Sequence, residues 1–270
     1  MSESLSTRRD RSSLRAAALV WSSIHAPVFA ALMARSRAVA QCPDSFIRSR
    51  GLLLKHLRAH GRSLQPGRTP LGDMQPWIQF AARDTLVTHL PPAPSVLEFG
   101  SGGSTLFWLC LGASVISVEH DDVWARDVRE EVSRSFAQGA RFEQRVIPPD
   151  PLLQDEPTSD LTAMSTDAAY SGMTFDRYVQ AAGDLRPHSI DLLLVDGRAR
   201  SATLLANADK VKPGGILVLD NSERSEYQDA MRALEAQGWN WRHYEGPFPY
   251  LTHFSRTSIA HRACFATSTP

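Results

Sequence analysis

Short apolar runs alternate with amphipathic stretches between residues 75 and 262 of the 270-residue chain. The runs predict β-strands, and stretches with apolar residues three or four positions apart predict helices that bury one face. The predicted strands are 95–99, 114–120, 142–147, 189–197, 216–220, 239–246 and 255–262. The predicted helices are 75–90, 104–112, 123–137, 174–185, 199–211 and 225–238.

Most of the strand segments are apolar on both sides, which is typical of parallel strands covered by helices on both faces. The last two strands, 239–246 and 255–262, lie too close in sequence for a helical crossover and should pair antiparallel at one edge. The KPGG sequence at 212–215 predicts a tight turn into the fifth strand. We therefore expect an α/β fold: a doubly wound, mostly parallel seven-stranded sheet with helices on both faces and a C-terminal antiparallel hairpin.

The first 70 residues differ from the rest of the chain in charge. They contain twelve Lys or Arg and three acidic residues, a net charge of +9, whereas the whole chain has a net charge of zero. Disorder is predicted for 1–12, and helices for 14–38 and 44–60. The apolar stretch at 16–34 contains too many polar residues to span a membrane. We interpret it as part of a basic amphipathic helix pair that packs on the main domain or contacts a partner, and weak contact of residues 1–40 with a membrane surface is the less favoured alternative. The predicted units are a basic, largely helical N-terminal extension (1–70) and one catalytic domain (71–270).

Acidic residues and glycines stand where four of the apolar strands end. In an open α/β sheet, ligands bind beyond the carboxyl ends of the strands, near the point where strand order reverses. Candidate functional residues therefore follow these strands: Glu98, the Gly100–Gly103 loop, Glu119, Asp196, and Asp220 with Asn221.

The Gly100–Gly103 loop predicts a site for a nucleoside-bearing cofactor. Its glycines permit a tight turn and a close backbone approach, and Ser104 or Thr105 can cap the helix that follows. Glu119 ends the neighbouring strand, where a carboxylate accepts hydrogen bonds from two ribose hydroxyls. A nicotinamide cofactor requires G-x-G-x-x-G, whose third glycine is replaced here by Thr105. A carboxylate at position 98 is unfavourable beside a negatively charged pyrophosphate, but it suits a cofactor that carries an amino group and no phosphate.

Together, ExGxGxS at 98–104, Glu119 and KPGGILVLDN at 212–221 resemble the class I S-adenosylmethionine (SAM)-dependent methyltransferases, over roughly Gln75 to His261. The resemblance implies a seven-stranded sheet ending in an antiparallel hairpin. It also implies that Glu98 and Gly100 lie near the methionine part of SAM, that Gly102 lines the pocket and that Glu119 holds the ribose. The predicted cofactor-binding residues are Glu98, Gly100, Ser101, Gly102, Ser104, Thr105, Glu119, His120 and Asp196.

Asp196, Asp220 and Asn221 are partly similar to the metal ligands of catechol-type O-methyltransferases. That resemblance implies a Mg²⁺ site made of three oxygen-bearing side chains, and hard oxygen ligands suit this ion. The lysine base of those enzymes corresponds to Ala199 here, between Arg198 and Arg200, and an arginine cannot act as a base at neutral pH. We therefore expect the two arginines to orient the acceptor and take Asp196, Arg198 and Arg200 as catalytic candidates. As alternatives, Asp196 caps a helix, and Asp220 and Asn221 form a turn.

These observations predict SAM-dependent O-methylation of a hydroxylated small molecule or glycan, with loops 148–172 and 246–254 covering the acceptor. Two alternatives stay open: an NAD(P)-dependent oxidoreductase and a non-catalytic nucleoside-binding or scaffold protein. The zero net charge gives no reason to expect a specific nucleic-acid partner. Three widely spaced cysteines favour a reducing, cytoplasmic location. The oligomeric state is left open.

Overall fold

The computed structural model describes residues 50–136, 139–152, 163–165, 167–252 and 254–262. The predictions for 1–12, 14–38 and the membrane contact of residues 1–40 lie outside these ranges. In chain order, the elements are α1 (Arg50–Ser63), α2 (Phe80–His89), β1 (Ser95–Phe99), α3 (Gly103–Cys110), β2 (Ser114–Glu119), α4 (Asp122–Ser135), β3 (Phe142–Val146), β4 (Asp150–Pro151), β5 (Met173–Thr174), α5 (Asp176–Val179), β6 (Ile190–Val195), α6 (Arg200–Asn207), β7 (Val211–Asp220), α7 (Gln228–Ala236), β8 (Trp239–Pro247) and β9 (Phe254–Arg262).

The predicted sheet is confirmed. Seven strands pair in the order β3-β2-β1-β6-β7-β9-β8. The first five are mutually parallel, whereas β9 is antiparallel to both β7 and β8. Strand order therefore reverses between β1 and β6, and the C-terminal hairpin forms one edge. The short strands β4 and β5 form a separate antiparallel pair.

Alternate residues of the central strands face two different apolar cores. On β6, Leu193 and Val195 lie in one core, while Leu192 and Leu194 lie in the other. Side chains of a strand alternate between the two faces of the sheet, so helices on both faces require apolar residues at every position. Helices α5, α6 and α7 cover the first face, and α2, α3 and α4 cover the second.

Three local predictions were wrong. The helix predicted over 174–185 is helical only in α5, because residues up to Gly183 form turns with bonds between residues three apart, such as Gly183 N to Gln180 O. The turn predicted at 212–215 lies inside β7, with a register shift opposite Ile190 and Leu192. The apolar spacing of the predicted helix 123–137 also predicts that Val123 lies on its buried face, but this side chain is 64% exposed, in the first turn of α4 on the solvent side.

Residues before the predicted catalytic domain pack against the connection between β8 and β9. Nε2 of His60, on α1, lies 2.9 Å from the carbonyl oxygen of Leu251, and burial lowers the pKa of His60. Within the predicted catalytic domain, the Trp77 indole donates to the same connection, at the carbonyl oxygen of Pro249, over 2.6 Å. No helix within the described ranges is both long and apolar enough to cross a membrane. The division at residue 70 remains a prediction.

Tyr250 shows how this connection is held. Its backbone N–H donates to Ser63 Oγ at 3.0 Å, and its hydroxyl lies 3.1 Å from Asp73 Oδ2. Its φ of 65° lies in the left-handed region. Through these contacts Tyr250 packs against α1 and against the segment that contains Asp73.

Leu193→Ala is expected to lower the free energy of unfolding by about 2–5 kcal/mol, because it leaves a cavity at a fully buried position of the central strand. Urea unfolding followed by circular dichroism measures the change.

The matched control is Leu205→Ala on α6, where the side chain is 39% exposed. This control should change the free energy of unfolding by less than about 0.5 kcal/mol. Equal losses in the two variants would contradict the assignment of Leu193 to a tightly packed core.

Candidate functional site

The candidate site lies where strand order reverses, at the carboxyl ends of β1 and β6. The turns after these strands are in direct contact: Asp196 N donates to Phe99 O at 2.9 Å. A Cβ at Gly100, whose φ is +101°, would lie 2.9 Å from Gly197 N. No side chain fits between the two turns, so Gly100 is required by the packing of the site.

The remaining loop glycines have different surroundings. A Cβ at Gly103 would lie 2.2 Å from the carbonyl oxygens of both Pro70 and Gln75, so this glycine is also required for packing. A Cβ at Gly102 would meet only the Trp124 ring, at 3.7 Å. Gly102 is therefore the position of the loop that a ligand can approach most closely.

Glu98 is fully buried beneath this loop. Its Oε1 accepts hydrogen bonds from the hydroxyls of Thr105 and, at 2.7 Å, Ser117. Thr105 Oγ1 in turn accepts from Gly102 N at 3.0 Å. Burial raises the pKa of Glu98 to about 7, against the opposing effect of these hydrogen bonds, and the negative charge of Asp196 raises it further. In this conformation Glu98 supports the loop from below.

Glu119 is buried at the end of β2 and binds backbone N–H groups with both carboxylate oxygens. Oε2 accepts from Ser101 N at 2.9 Å, and Oε1 accepts from His120 N at 2.7 Å and Asp121 N at 2.9 Å. The Ser101 hydroxyl pairs with Ser117 Oγ at 2.8 Å. Glu119 thus fixes the Gly100–Gly103 loop relative to β2, while Oε2 keeps a lone pair for a further donor.

His120 links Glu119 to the part of the 148–172 loop that the structure describes. Its Nε2 lies 2.8 Å from Tyr170 Oη, and Arg198 Nε, which can only donate, approaches the same nitrogen at 3.3 Å. The other ring nitrogen, Nδ1, lies 2.6 Å from Glu119 Oε1. Arg198 also pairs with Asp167 at 3.2 Å and stacks on Tyr170. These contacts hold residues 167–170 beside the ends of β2 and β6.

Arg200 lies between the two aspartates that were predicted to bind a metal. Its Nη2 is 2.9 Å from Asp196 Oδ1, and its Nη1 is 4.0 Å from Asp220 Oδ2. Burial raises the pKa of Asp196, an effect that Arg200 opposes. Burial raises the pKa of Asp220 well above its ordinary value, and the charge of Asp196 adds to this. Burial therefore opposes ionisation of Asp220, whereas Mg²⁺ binds the ionised carboxylate.

The Asn221 side-chain amide is engaged with residues other than Asp196 and Asp220. Its amide nitrogen donates to Ser255 Oγ at 2.8 Å, and its Oδ1 accepts from Arg224 at 3.4 Å. Within the described ranges, no group of three His, Cys, Asp or Glu side chains is arranged to hold a metal ion. The residues predicted from the catechol-type resemblance therefore do not fit Mg²⁺ in this conformation.

The predicted cofactor-binding residues lie together, whereas four side chains that complete the site were not predicted: Ser117, Tyr170, Arg224 and Thr257. Ser117 had a signal, because it precedes Glu119 by two residues and so shares its face of β2. Thr257, which donates to Asp220 Oδ1, had none before the pairing of β7 with β9 was known.

The pKa of Glu98 predicts a pH dependence of stability. The folded pKa of about 7 lies above the ordinary value of 4.5, so folding takes up a proton between these pH values. This stabilisation is complete below pH 4.5 and is lost as the pH rises through 7, by up to about 3 kcal/mol. Urea unfolding of the parent and of Glu98→Gln at pH 5 and pH 8 isolates this contribution from those of Asp196 and Asp220. An unchanged pH dependence in Glu98→Gln would contradict the shift.

No protein-family model and no curated protein matches the chain. Among solved structures, a protein from Corynebacterium glutamicum has 11% identity and a TM-score of 0.50, over 78% of this chain and 97% of that one. An O-methyltransferase from Bacillus cereus in complex with S-adenosylhomocysteine (SAH) has 14% identity and a TM-score of 0.48, over 87% of this chain and 100% of that one. An O-methyltransferase from Streptomyces achromogenes in complex with SAM has 13% identity and a TM-score of 0.47, over 76% of this chain and 89% of that one. At these identities the likeness to the Corynebacterium protein shows a shared fold alone, and the two likenesses with TM-scores below 0.5 add nothing to that conclusion.

Proposed function

We propose that the protein is a SAM-dependent methyltransferase that methylates a hydroxyl oxygen of a small molecule or glycan. The observation that carries the proposal is the pairing of a bare loop with two buried carboxylates, Glu98 and Glu119, where strand order reverses. The loop provides close backbone approach at Gly102, and the carboxylates favour a cofactor that carries positive charge.

The hydrogen bonds of the loop favour SAM over a dinucleotide. A pyrophosphate requires free backbone N–H groups at the start of the helix. Here Ser101 N donates to Glu119, and Gly102 N donates to Thr105. The negative charge of Glu119 at this helix start opposes a pyrophosphate but attracts the ammonium and sulfonium groups of SAM.

In the proposed complex, Glu119 Oε2 accepts a hydrogen bond from the ribose. Trp124 is 37% exposed, donates its indole N–H to Ser101 O at 2.7 Å and forms a wall beside Gly102 that suits the adenine ring. His120 continues this wall through its contact with Tyr170. Glu98 acts from beneath the loop, by holding Thr105 and Ser117 in place.

The chemical step is an in-line displacement at the sulfonium methyl. The acceptor oxygen forms a bond to the methyl carbon, the carbon–sulfur bond breaks, and the hydroxyl proton leaves to a base or to water. S-Adenosylhomocysteine is the second product. Alignment of the acceptor with the carbon–sulfur bond supplies most of the acceleration, since holding two reactants in line removes much of the entropic barrier.

Arg198 is the better candidate for contact with the acceptor. Its side chain is 33% exposed beside Tyr170 and Asp167, whereas that of Arg200 is 10% exposed and directed between β6 and β7. An exposed guanidinium over an aromatic ring suits a hydroxylated or anionic acceptor. Cytoplasmic location remains a prediction from the sequence.

Glu119→Ala is expected to weaken SAM binding ~10- to 100-fold, because one or two charge-assisted hydrogen bonds to the ribose are lost. Isothermal titration calorimetry with SAM and S-adenosylhomocysteine measures the effect. Glu130→Ala, at an exposed position on α4, is the matched control and should bind like the parent.

Three outcomes of the same experiments separate the candidate functions. Transfer of the methyl group of labelled SAM to hydroxylated small molecules or glycans supports the proposal. Tight binding of SAM without transfer to any acceptor favours a scaffold protein. Binding of NAD(P) in place of SAM, or equal SAM affinity in Glu119→Ala and the parent, contradicts the proposed function.

A further inference from the structure

The Arg200 guanidinium is held by the turns after two adjacent strands. Its Nη2 donates to the carbonyl oxygen of Asp196 at 2.8 Å, and its Nη1 donates to that of Asp220 at 2.6 Å. Its Nε donates to Gly197 O at 3.0 Å. Each nitrogen therefore has an acceptor, and the cation is fixed between the ends of β6 and β7.

The same guanidinium lies between two carboxyl groups. Asp196 Oδ1 is 2.9 Å from Nη2, and Asp220 Oδ2 is 4.0 Å from Nη1. The other Asp220 oxygen accepts the Thr257 hydroxyl. Hard oxygen donors on two neighbouring strand ends form the kind of site that binds a small divalent cation. Here the Arg200 guanidinium lies between them, paired with Asp196 and 4.0 Å from Asp220 Oδ2.

A guanidinium excludes a metal ion from this place for two reasons. An arginine side chain does not lose its proton in a folded protein, so the positive charge stays in this site. A divalent cation next to it would be repelled in a region shielded from water. The two cations therefore compete for the same pair of carboxyl groups.

We propose that Arg200 permanently takes the place of a divalent cation between Asp196 and Asp220, and that its removal uncovers a latent metal site. Arg200 is then a positioning residue that fixes Asp196 and joins the ends of β6 and β7. The protein in its natural form then binds no metal between these two carboxyl groups, and a metal held there does not activate the acceptor.

The test is a Mn²⁺ titration followed by electron paramagnetic resonance of the free ion, which does not depend on SAM turnover. The parent should bind no Mn²⁺ between these carboxyl groups below about 1 mM. Arg200→Ala should bind about one equivalent with an affinity at least tenfold higher, because two hard carboxylates lose their resident cation. Circular dichroism establishes that each variant is folded.

Arg232→Ala is the matched control, because Arg232 is an exposed arginine on α7 that pairs with the exposed Asp229. It should behave like the parent, and the double variant Arg200→Ala, Asp196→Asn should lose the gained affinity. If Arg200→Ala does not fold, Arg200→Gln keeps hydrogen-bond donors without the charge and is titrated in the same way.

Two results would overturn the proposal. One is a parent protein that binds Mn²⁺ tightly and loses that binding in Asp196→Asn. The other is a folded Arg200 variant whose Mn²⁺ affinity equals that of the parent. Neither result bears on SAM binding, so this inference and the proposed function can fail separately.

Discussion

The contact between the backbone turns after β1 and β6 is the constraint on which the rest of the site depends. Gly100 has no room for a side chain beside Gly197, and a Cβ at Gly197 would lie 2.0 Å from the Tyr178 hydroxyl. This approach brings Asp196 close enough to Glu98 for its charge to raise the Glu98 pKa. Tight packing of bare backbone therefore gathers negative charge at one edge of the sheet, and that charge has to be compensated.

Each carboxyl group at this edge is compensated differently. Glu98 takes up a proton as the pH falls below about 7, since burial raises its pKa to about that value. Glu119 accepts hydrogen bonds from backbone N–H groups, including that of Ser101. Asp196 is paired with Arg200. A proton, backbone hydrogen bonds and an opposite charge are the three general ways in which a protein accommodates a buried acid.

The strands and the loop residues were predictable because their signals are local. Buried parallel strands can be recognised in the sequence as apolar runs, and the loop glycines directly follow one of these runs. The hydrogen bond between His120 and Tyr170, fifty residues apart, and that between Asp220 and Thr257 depend on pairings that no local pattern records. The metal site was expected because Asp220 and Asn221 match a motif by residue type. Whether a metal can bind there depends on the direction of the Arg200 side chain, and no sequence pattern indicates that direction.

The hydrogen bonds that join α1 to the β8–β9 connection bear on how the polypeptide can be dissected. Charge composition divides the chain at residue 70, but the His60 imidazole and the Ser63 hydroxyl bond to the backbone of Leu251 and Tyr250 across that division. A fragment begun at residue 71 would leave a carbonyl and an amide of this connection exposed beside an edge strand. A fragment that begins upstream of His60 keeps both of these hydrogen bonds.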